Sequence, residues 1–444
     1  MSVGVGSGVR VVVGDDEGDG EGAAEVIEDV VLVTTADPEV AVRCGPGAGA
    51  EQAPSATTTA APSPAAYDLL HRRATGRRAQ TTADGRGRRA GRALGIHRPY
   101  PGSRCRSERR APARYVAGVS HRIPIVLDVD TGVDDACALL LAALHPSLDL
   151  KAVSCVGGNA PVDDVVRNTL KVLTAAGRTD VPVARGAERP LLESPVDARH
   201  VHGDDGMGDL GWPDSTLRAD ERNGVELLRD VCREARSGGT PLTLVPLAPM
   251  TNIALLLRTY PDVAQGIERI LFMGGAAHAG NATASAEFNV FHDPEAAAIV
   301  LDAAAELDIE VTMYGLDVFY EPTITREQAR ELVAVGGRSA AELGGRLLDF
   351  QCDRFGTAAA TIGDAGAVCA VIEPESLETH TLPIRVELAG AWSRGRTILD
   401  RRDWSGDLAH DPHGEPPTRV KVALGVDGPR YAALWRETLL GLAD

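Results

Sequence analysis

The chain has 444 residues, of which 44% are hydrophobic, and a formal net charge of −18. That apolar content suffices for a sizeable globular core, and that charge argues against a nucleic-acid-binding surface as its main business. No apolar run reaches the roughly 18 residues of a membrane-spanning helix. The N-terminus lacks the basic, apolar, small-residue order of a secretory signal. The expectation is therefore a cytoplasmic protein without membrane or nucleic-acid partners. The seven cysteines are scattered without a C-x-x-C pair, and Cys137 and Cys155 lie in apolar runs, where they read as small buried hydrophobes. Lysine occurs only at positions 151, 171 and 421, which leaves few candidates for a catalytic lysine.

Residues 1–118 differ from the rest. The first 70 carry twelve acidic residues against two basic ones, and residues 71–120 carry fourteen arginines against two acids. Charge blocks mixed with Pro, Gly, Ser and Ala bury too little apolar surface to offset the entropy of ordering. This segment reads as a disordered, low-complexity extension ahead of one domain at 119–444.

From residue 119 apolar strands alternate with helices. "RIPIVLDVD" reads as a buried strand and "VDDACALLLAALHP" as a helix stopped at Pro146. "LDLKAVSCVGGN" is a strand, and "PVDDVVRNTLKVLTAAG" a helix opened by Pro161 and closed by Gly177. "VPVARG", "PLTLVPLAP", "ERILFMGG" and "DIEVTMYGLD" continue as strands, with helices at "MTNIALLLRTYP" and "DPEAAAIVLDAAAE". The pattern predicts an α/β fold: an open, mainly parallel, Rossmann-like sheet with helices on both faces. "LPIRVELAGAW" and "TRVKVALGVD" are expected to form an edge or a small added sheet. In such sheets ligands bind beyond the carboxyl ends of the strands, and there lie Asp128, Asp130, Asn159, Leu247 and the polar loop 278–293.

"IVLDVDTGVDDACALLL" sets Asp128, Asp130, Asp134 and Asp135 close together. Complementing a helix N-terminus, worth roughly 0.3–1 kcal/mol each, accounts for Asp134 and Asp135 alone. A haloacid-dehalogenase-type phosphatase would use Asp128 and Asp130, but it also needs a downstream lysine followed by an acidic pair. Neither Lys171 nor Lys421 has one. A hard cation such as calcium, held by six to eight oxygens, would relieve the repulsion among these carboxylates and ease deprotonation of a water.

Five ordered motifs over about residues 122–440 resemble the inosine–uridine-type nucleoside hydrolases: "DVDTGVDDA", "VGGN", "VHGDDGMGDLGWP", "VPLAPMTNIALLLR" and "ILFMGGAAHAGNATASAEFNVFHDPEAAAIV". The resemblance implies hydrolysis of the N-glycosidic bond of ribonucleosides to ribose and a free purine or pyrimidine base, with Ca²⁺ as cofactor. It implies that Asp130 is a metal ligand and the general base, with Asp135, Asp364 and the Leu247 carbonyl as further ligands. Asp134, Asn159, Asn281, Glu287 and Asn289 would bind ribose hydroxyls, Met273 would pack on the sugar, and Asp128 would hydrogen-bond behind the ligands. A homodimer or homotetramer is implied as well.

The chemistry suits the residue types, since carboxylates favour an oxocarbenium-like sugar and amides both donate to and accept from hydroxyls. Taken singly, Glu287 reads as a solvated loop residue, Met273 as core, and Asn289 as a helix cap that Asp293 would supply better. The family's frequent histidine before the last metal aspartate is replaced here by Gly363. The leaving group would then be activated by another acid, by stacking or by solvent, with His200, His202 and His278 as candidate acids and His202 best placed in the mouth loop. Trp212 in that loop either stacks on the base or is a structural aromatic. Thr131 stands where the family often has proline, and its hydroxyl is expected to reach a neighbouring carboxylate. The rival readings are a hydrolase of a modified nucleoside or other ribosyl compound, and a nucleoside-binding relative without turnover.

Overall fold

The computed structural model describes residues 122–402 and 417–443, together with the backbone of two short strands near the N-terminus. These strands, β1 (Ser2–Gly4) and β2 (Arg10–Val12), pair antiparallel. The reading of residues 1–118 as a disordered extension otherwise lies outside the described residues.

The main sheet begins with β3 (Ile123–Val129), an apolar segment buried along its last five residues. It is flanked on one side by β4 (Leu148–Cys155) and then β5 (Val183–Arg185), both parallel to their neighbours. On its other side lie β6 (Leu242–Pro246), β7 (Ile267–Met273) and β8 (Glu310–Tyr314), again parallel throughout. The short β9 (Thr323–Thr325) and β10 (Ala359–Thr361) form a separate antiparallel pair. The C-terminal strands extend the main sheet instead of building another one. β13 (Thr418–Val426) lies parallel beside β8, and β11 (Leu377–Val386) and edge strand β12 (Thr397–Leu399) follow antiparallel. Backbone pairing with β8 decides this, and hydropathy carries no trace of which strand is a neighbour.

Both faces of the sheet are covered. Along β3, Ile125, Leu127 and Val129 point into one apolar cluster and Val126 into the other, the period-2 alternation of a strand buried on both sides. The helix Val133–Leu144 packs on the first face. It is rich in Ala and Leu and ends at His145, whose extended backbone leads into Pro146. Cys137, Cys155, Cys232, Cys352 and Cys369 are buried and free, as expected of small hydrophobes in the case of the first two. Among the described residues no helix is long and apolar enough to cross a membrane.

The last helix, Gly428–Leu439, ties this core to the site-bearing helix. Trp435 is fully buried, and its indole Nε1–H donates to the Cys137 carbonyl at 2.9 Å. Trp435→Ala should therefore cost about 3–5 kcal/mol, read as a lower urea midpoint. It should also loosen the helix that carries Asp134 and Asp135.

Candidate active site

All the parallel strands end on one rim, and the predicted site residues gather there. Asp130 follows β3, Asn159 follows β4, Leu247 follows β6, and Met273 is the last residue of β7. Asp364 comes from another part of the fold, just before the helix Ala365–Ile372. Carboxylate oxygens of Asp134, Asp135 and Asp364 lie within 4.8 Å of one another.

The turn after β3 is built around its carboxylates. Asp135 accepts from the Gly132 N–H at 2.9 Å and from the Asp130 N–H at 3.2 Å. Asp130 in turn accepts from the Asn159 N–H at 2.7 Å, and the Asn159 amide bridges Asp130 and Asp135 at 3.2 Å each. A Cβ on Gly158 would come within 2.0 Å of Asp130 Oδ2, so the double glycine of "VGGN" lets the backbone approach this carboxylate.

Burial and crowding set the protonation. Burial, then the charge of Asp135, raises the pKa of Asp130 well above the carboxylate range, and burial with three neighbouring aspartates does the same for Asp364. Asp135 is pushed up to about 7 by burial and by Asp134. Among the described residues no lysine or arginine pairs with these groups, and the one basic neighbour is His202, 3.7 Å from Asp134. This set of hard, anionic oxygen donors lacking a cationic partner fits a hard divalent cation. The Leu247 carbonyl, just after β6, accepts from the Asn289 amide at 2.9 Å.

The remaining predicted residues are sorted by their contacts. Asp128 is buried, accepts from Ser154 Oγ at 2.5 Å and from the Asn252 amide at 2.8 Å, and is raised to about 7 chiefly by burial. Its backbone carbonyl accepts from the Leu247 N–H at 2.8 Å. Glu287 is no solvated loop residue. It is buried, caps the short helix Phe288–His292, and accepts backbone N–H groups of Gly275, Asn289 and Val290. Asn289 also donates to the Met273 carbonyl at 3.2 Å, and Met273 is buried. Asp293 caps the helix Pro294–Glu306. Asn281 is exposed, and its side-chain oxygen accepts from the Phe288 N–H.

In the mouth loop His202 is buried and its Nδ1 accepts from the Val133 N–H at 3.1 Å. Its pKa is lowered by burial, so the neutral ring carries its proton on Nε2. The carbonyl of His200 is held by Arg354, and Trp212 is half-buried against the core. The Thr131 hydroxyl does not reach a carboxylate. Thr169 donates to the Val165 carbonyl, so Thr131 must donate to Thr169, at 2.6 Å. Thr131 thus ties the turn to the helix Val162–Ala175.

Residues 125–433 match the family model described as inosine-uridine preferring nucleoside hydrolase. The chain belongs to this family. A pyrimidine-specific ribonucleoside hydrolase RihA from an Enterobacter species is 38% identical over 69% of this chain and 95% of its own length. Among solved structures, an inosine-guanosine nucleoside hydrolase superposes with a TM-score of 0.64 at 29% identity, over 72% of this chain and 99% of its own. A purine-preferring ribonucleoside hydrolase from Gardnerella vaginalis gives 0.63 at 29%, over 72% and 98%. This nucleoside hydrolase is an N-glycosyl hydrolase of ribonucleosides.

Sequence reading missed Asn252 and Ser154, which hold Asp128. A buried amide two positions into a helix resembles any exposed one until the fold places it. Gly363 is more than a lost histidine. It has φ +54°, and a Cβ there would lie 2.5 Å from Asp134 Cβ and 2.9 Å from Phe319 Cζ. Gly363→Ala should pay about 1–2 kcal/mol for the left-handed backbone. By displacing Asp134 it should also reduce kcat/KM on the order of 100-fold, as measured by ribose release.

His292 is buried, and burial lowers its pKa to about 4, only partly offset by a weak contact with the Val196 backbone. The unfolded chain, with an ordinary histidine near 6.5, binds the proton first. This residue's contribution to stability is therefore lost as pH falls from about 6.5 toward 4. The Tm difference between wild type and His292→Phe should shift against the wild type across that window, and a pH-independent difference would contradict this reading.

Proposed function

We propose that the protein is a calcium-dependent hydrolase that favours pyrimidine ribonucleosides such as uridine and cytidine. The observation that supports the calcium part is the gathering of Asp134, Asp135 and Asp364 oxygens within 4.8 Å, beside buried Asp130, with no basic neighbour but His202 among the described residues. The pyrimidine part follows the RihA relatives, at 36–38% identity.

In this reading the ribose lies on the rim, with its hydroxyls on Asp134, Asn159, Asn281, Glu287 and Asn289 and its ring against Met273. The backbone bonds that pin Glu287 and the bonds that pin Asn289 give the sugar a preorganised cradle. Asp130 takes the proton of the attacking water. Its carboxylate is aimed by Asn159. The anionic walls favour the positive charge that develops on the sugar as the glycosidic bond lengthens. Calcium, held by Asp130, Asp135, Asp364 and the Leu247 carbonyl, would supply the positive charge that offsets carboxylate repulsion and eases deprotonation of water. The protein is expected to act as a homodimer or homotetramer.

Ribose release from uridine, cytidine, inosine, adenosine and guanosine tests this, with calcium, with chelator, and with Asp130→Asn. Uridine or cytidine should be fastest, chelator should abolish turnover, and Asp130→Asn should lose about 10²–10⁴-fold. Calcium at 100 times its Kd should add about 2.7 kcal/mol of stability, read as a raised Tm, and Asp135→Asn should weaken that shift. A purine preference would overturn the substrate assignment, and an unchanged Tm with full activity in chelator would overturn the metal.

A further inference from the structure

We propose that Thr397, on the edge strand β12, is a positioning residue for ribose recognition: its hydroxyl clasps Ala276 and so keeps the neighbouring Gly275 N–H on the Glu287 carboxylate. This inference deepens the ribonucleoside reading above and rests on it.

Residues 274–277, just after β7, lie outside any helix or strand, and their backbone groups are satisfied one by one from distant segments. The Gly274 N–H donates to the Tyr314 carbonyl at 3.2 Å, and the Gly275 carbonyl accepts from the Leu316 N–H at 3.0 Å. The Ala277 N–H donates to Asp317 at 2.6 Å. Both polar backbone groups of buried Ala276 meet one side chain. The Thr397 hydroxyl accepts from the Ala276 N–H at 2.9 Å and donates to the Ala276 carbonyl at 2.8 Å, across 121 positions of sequence. A hydroxyl can serve as donor and acceptor at once, and here it does both toward a single residue.

Thr397 is itself 4% exposed and packs against Gly275. A Cβ on Gly275 would lie 2.8 Å from Thr397 Cγ2 and 3.0 Å from its Oγ1. The Gly275 N–H is the donor that Glu287 Oε2 accepts at 2.8 Å. The other two described bonds to this carboxylate come from its own helix, from the Asn289 and Val290 N–H groups. The Gly275 bond therefore ties the Glu287 carboxylate to a second segment, and Thr397 holds that segment.

The hairpin that carries Thr397 also reaches the far side of Glu287. A Cβ on Gly395, which has φ +79°, would come within 2.7 Å of Phe291 Cα on the short helix that Glu287 caps. Arg394 anchors the hairpin by bonding both Glu295 carboxylate oxygens, at 2.8 and 2.9 Å, on the helix Pro294–Glu306. One hairpin thus braces the chain before and after Glu287.

A valine at 397 would keep the shape of threonine and leave both Ala276 groups buried without this partner, a situation the backbone relieves by moving. The Gly275 N–H would move with its neighbour. Glu287 would still cap its helix but lose the bond that sets its carboxylate against the sugar. Asp130, Asp135 and Asp364 are not on this path, so metal binding should be untouched.

The test measures kcat/KM on uridine and on its 2′-, 3′- and 5′-deoxy analogues with the calcium-loaded full chain. Wild type, Thr397→Val, Thr397→Ser, Glu287→Gln and the Thr397→Val/Glu287→Gln double variant are compared, with far-UV circular dichroism to check folding. Thr397→Val should lose on the order of 10-fold on uridine, Thr397→Ser should stay close to wild type, and the calcium-induced rise in Tm should be the same in all three. The analogue on which Glu287→Gln costs least should also be the one on which Thr397→Val costs least. The double variant should be no worse than Glu287→Gln alone, the non-additivity of two changes acting on one contact. Losses that multiply in the double variant, an equal loss on every analogue, no loss at all, or a serine variant as impaired as valine would overturn the assignment. Glu287→Gln matching wild type on the whole panel would instead overturn the ribose reading on which it rests. If Thr397→Val misfolds, Thr397→Ala on the same panel decides.

Discussion

The organising constraint is electrostatic: Asp130, Asp134, Asp135 and Asp364 converge in a corner from which water is largely excluded. Packing of this kind raises the pKa of each buried carboxylate and works against folding. Much of the surrounding structure holds the corner together. Asn159 spans Asp130 and Asp135, backbone N–H groups of Gly132 and Asp130 hold Asp135 as well, and the N-terminus of the helix Val133–Leu144 meets Asp134 and Asp135 with its positive end. Asn252 and Ser154 fix Asp128 behind them.

The parallel sheet makes this convergence possible. Strands of one direction deliver their C-terminal loops to one rim, so residues more than a hundred positions apart become neighbours with little extra machinery. Hydrogen bonds between loops then refine the arrangement. The Leu247 N–H donates to the Asp128 carbonyl, Asn289 reaches back to the Leu247 carbonyl, and the Gly275 N–H meets Glu287. Glu287 shows how one residue can serve structure and site together. As a cap it satisfies orphan helix N–H groups, and the same bonds hold its carboxylate on the rim.

Gly363 shows how closely the turn before Asp364 is packed. The left-handed backbone there lets Asp134 and Phe319 approach where a side chain would stand. The consequence is steric: an acid cannot return to that position without displacing a carboxylate of the cluster.

By itself the sequence determined the alternation of strands and helices, the aspartate-rich turn, and the motifs by which the family is identified. These are local patterns of hydropathy and spacing, which a chain displays before it folds. The sequence also placed Asp293 correctly as a helix cap, because capping is a short-range bond. Other features depended on tertiary structure: the C-terminal strands joining the main sheet, the burial of Glu287, the Thr131 hydroxyl turning to Thr169, and Asn252 reaching Asp128. The pairing of His278 with Asp317 across 39 positions belongs to the same class. Each depends on which distant segments the fold makes neighbours, and a buried polar group is recognisable only once the partner that satisfies it stands within hydrogen-bond reach.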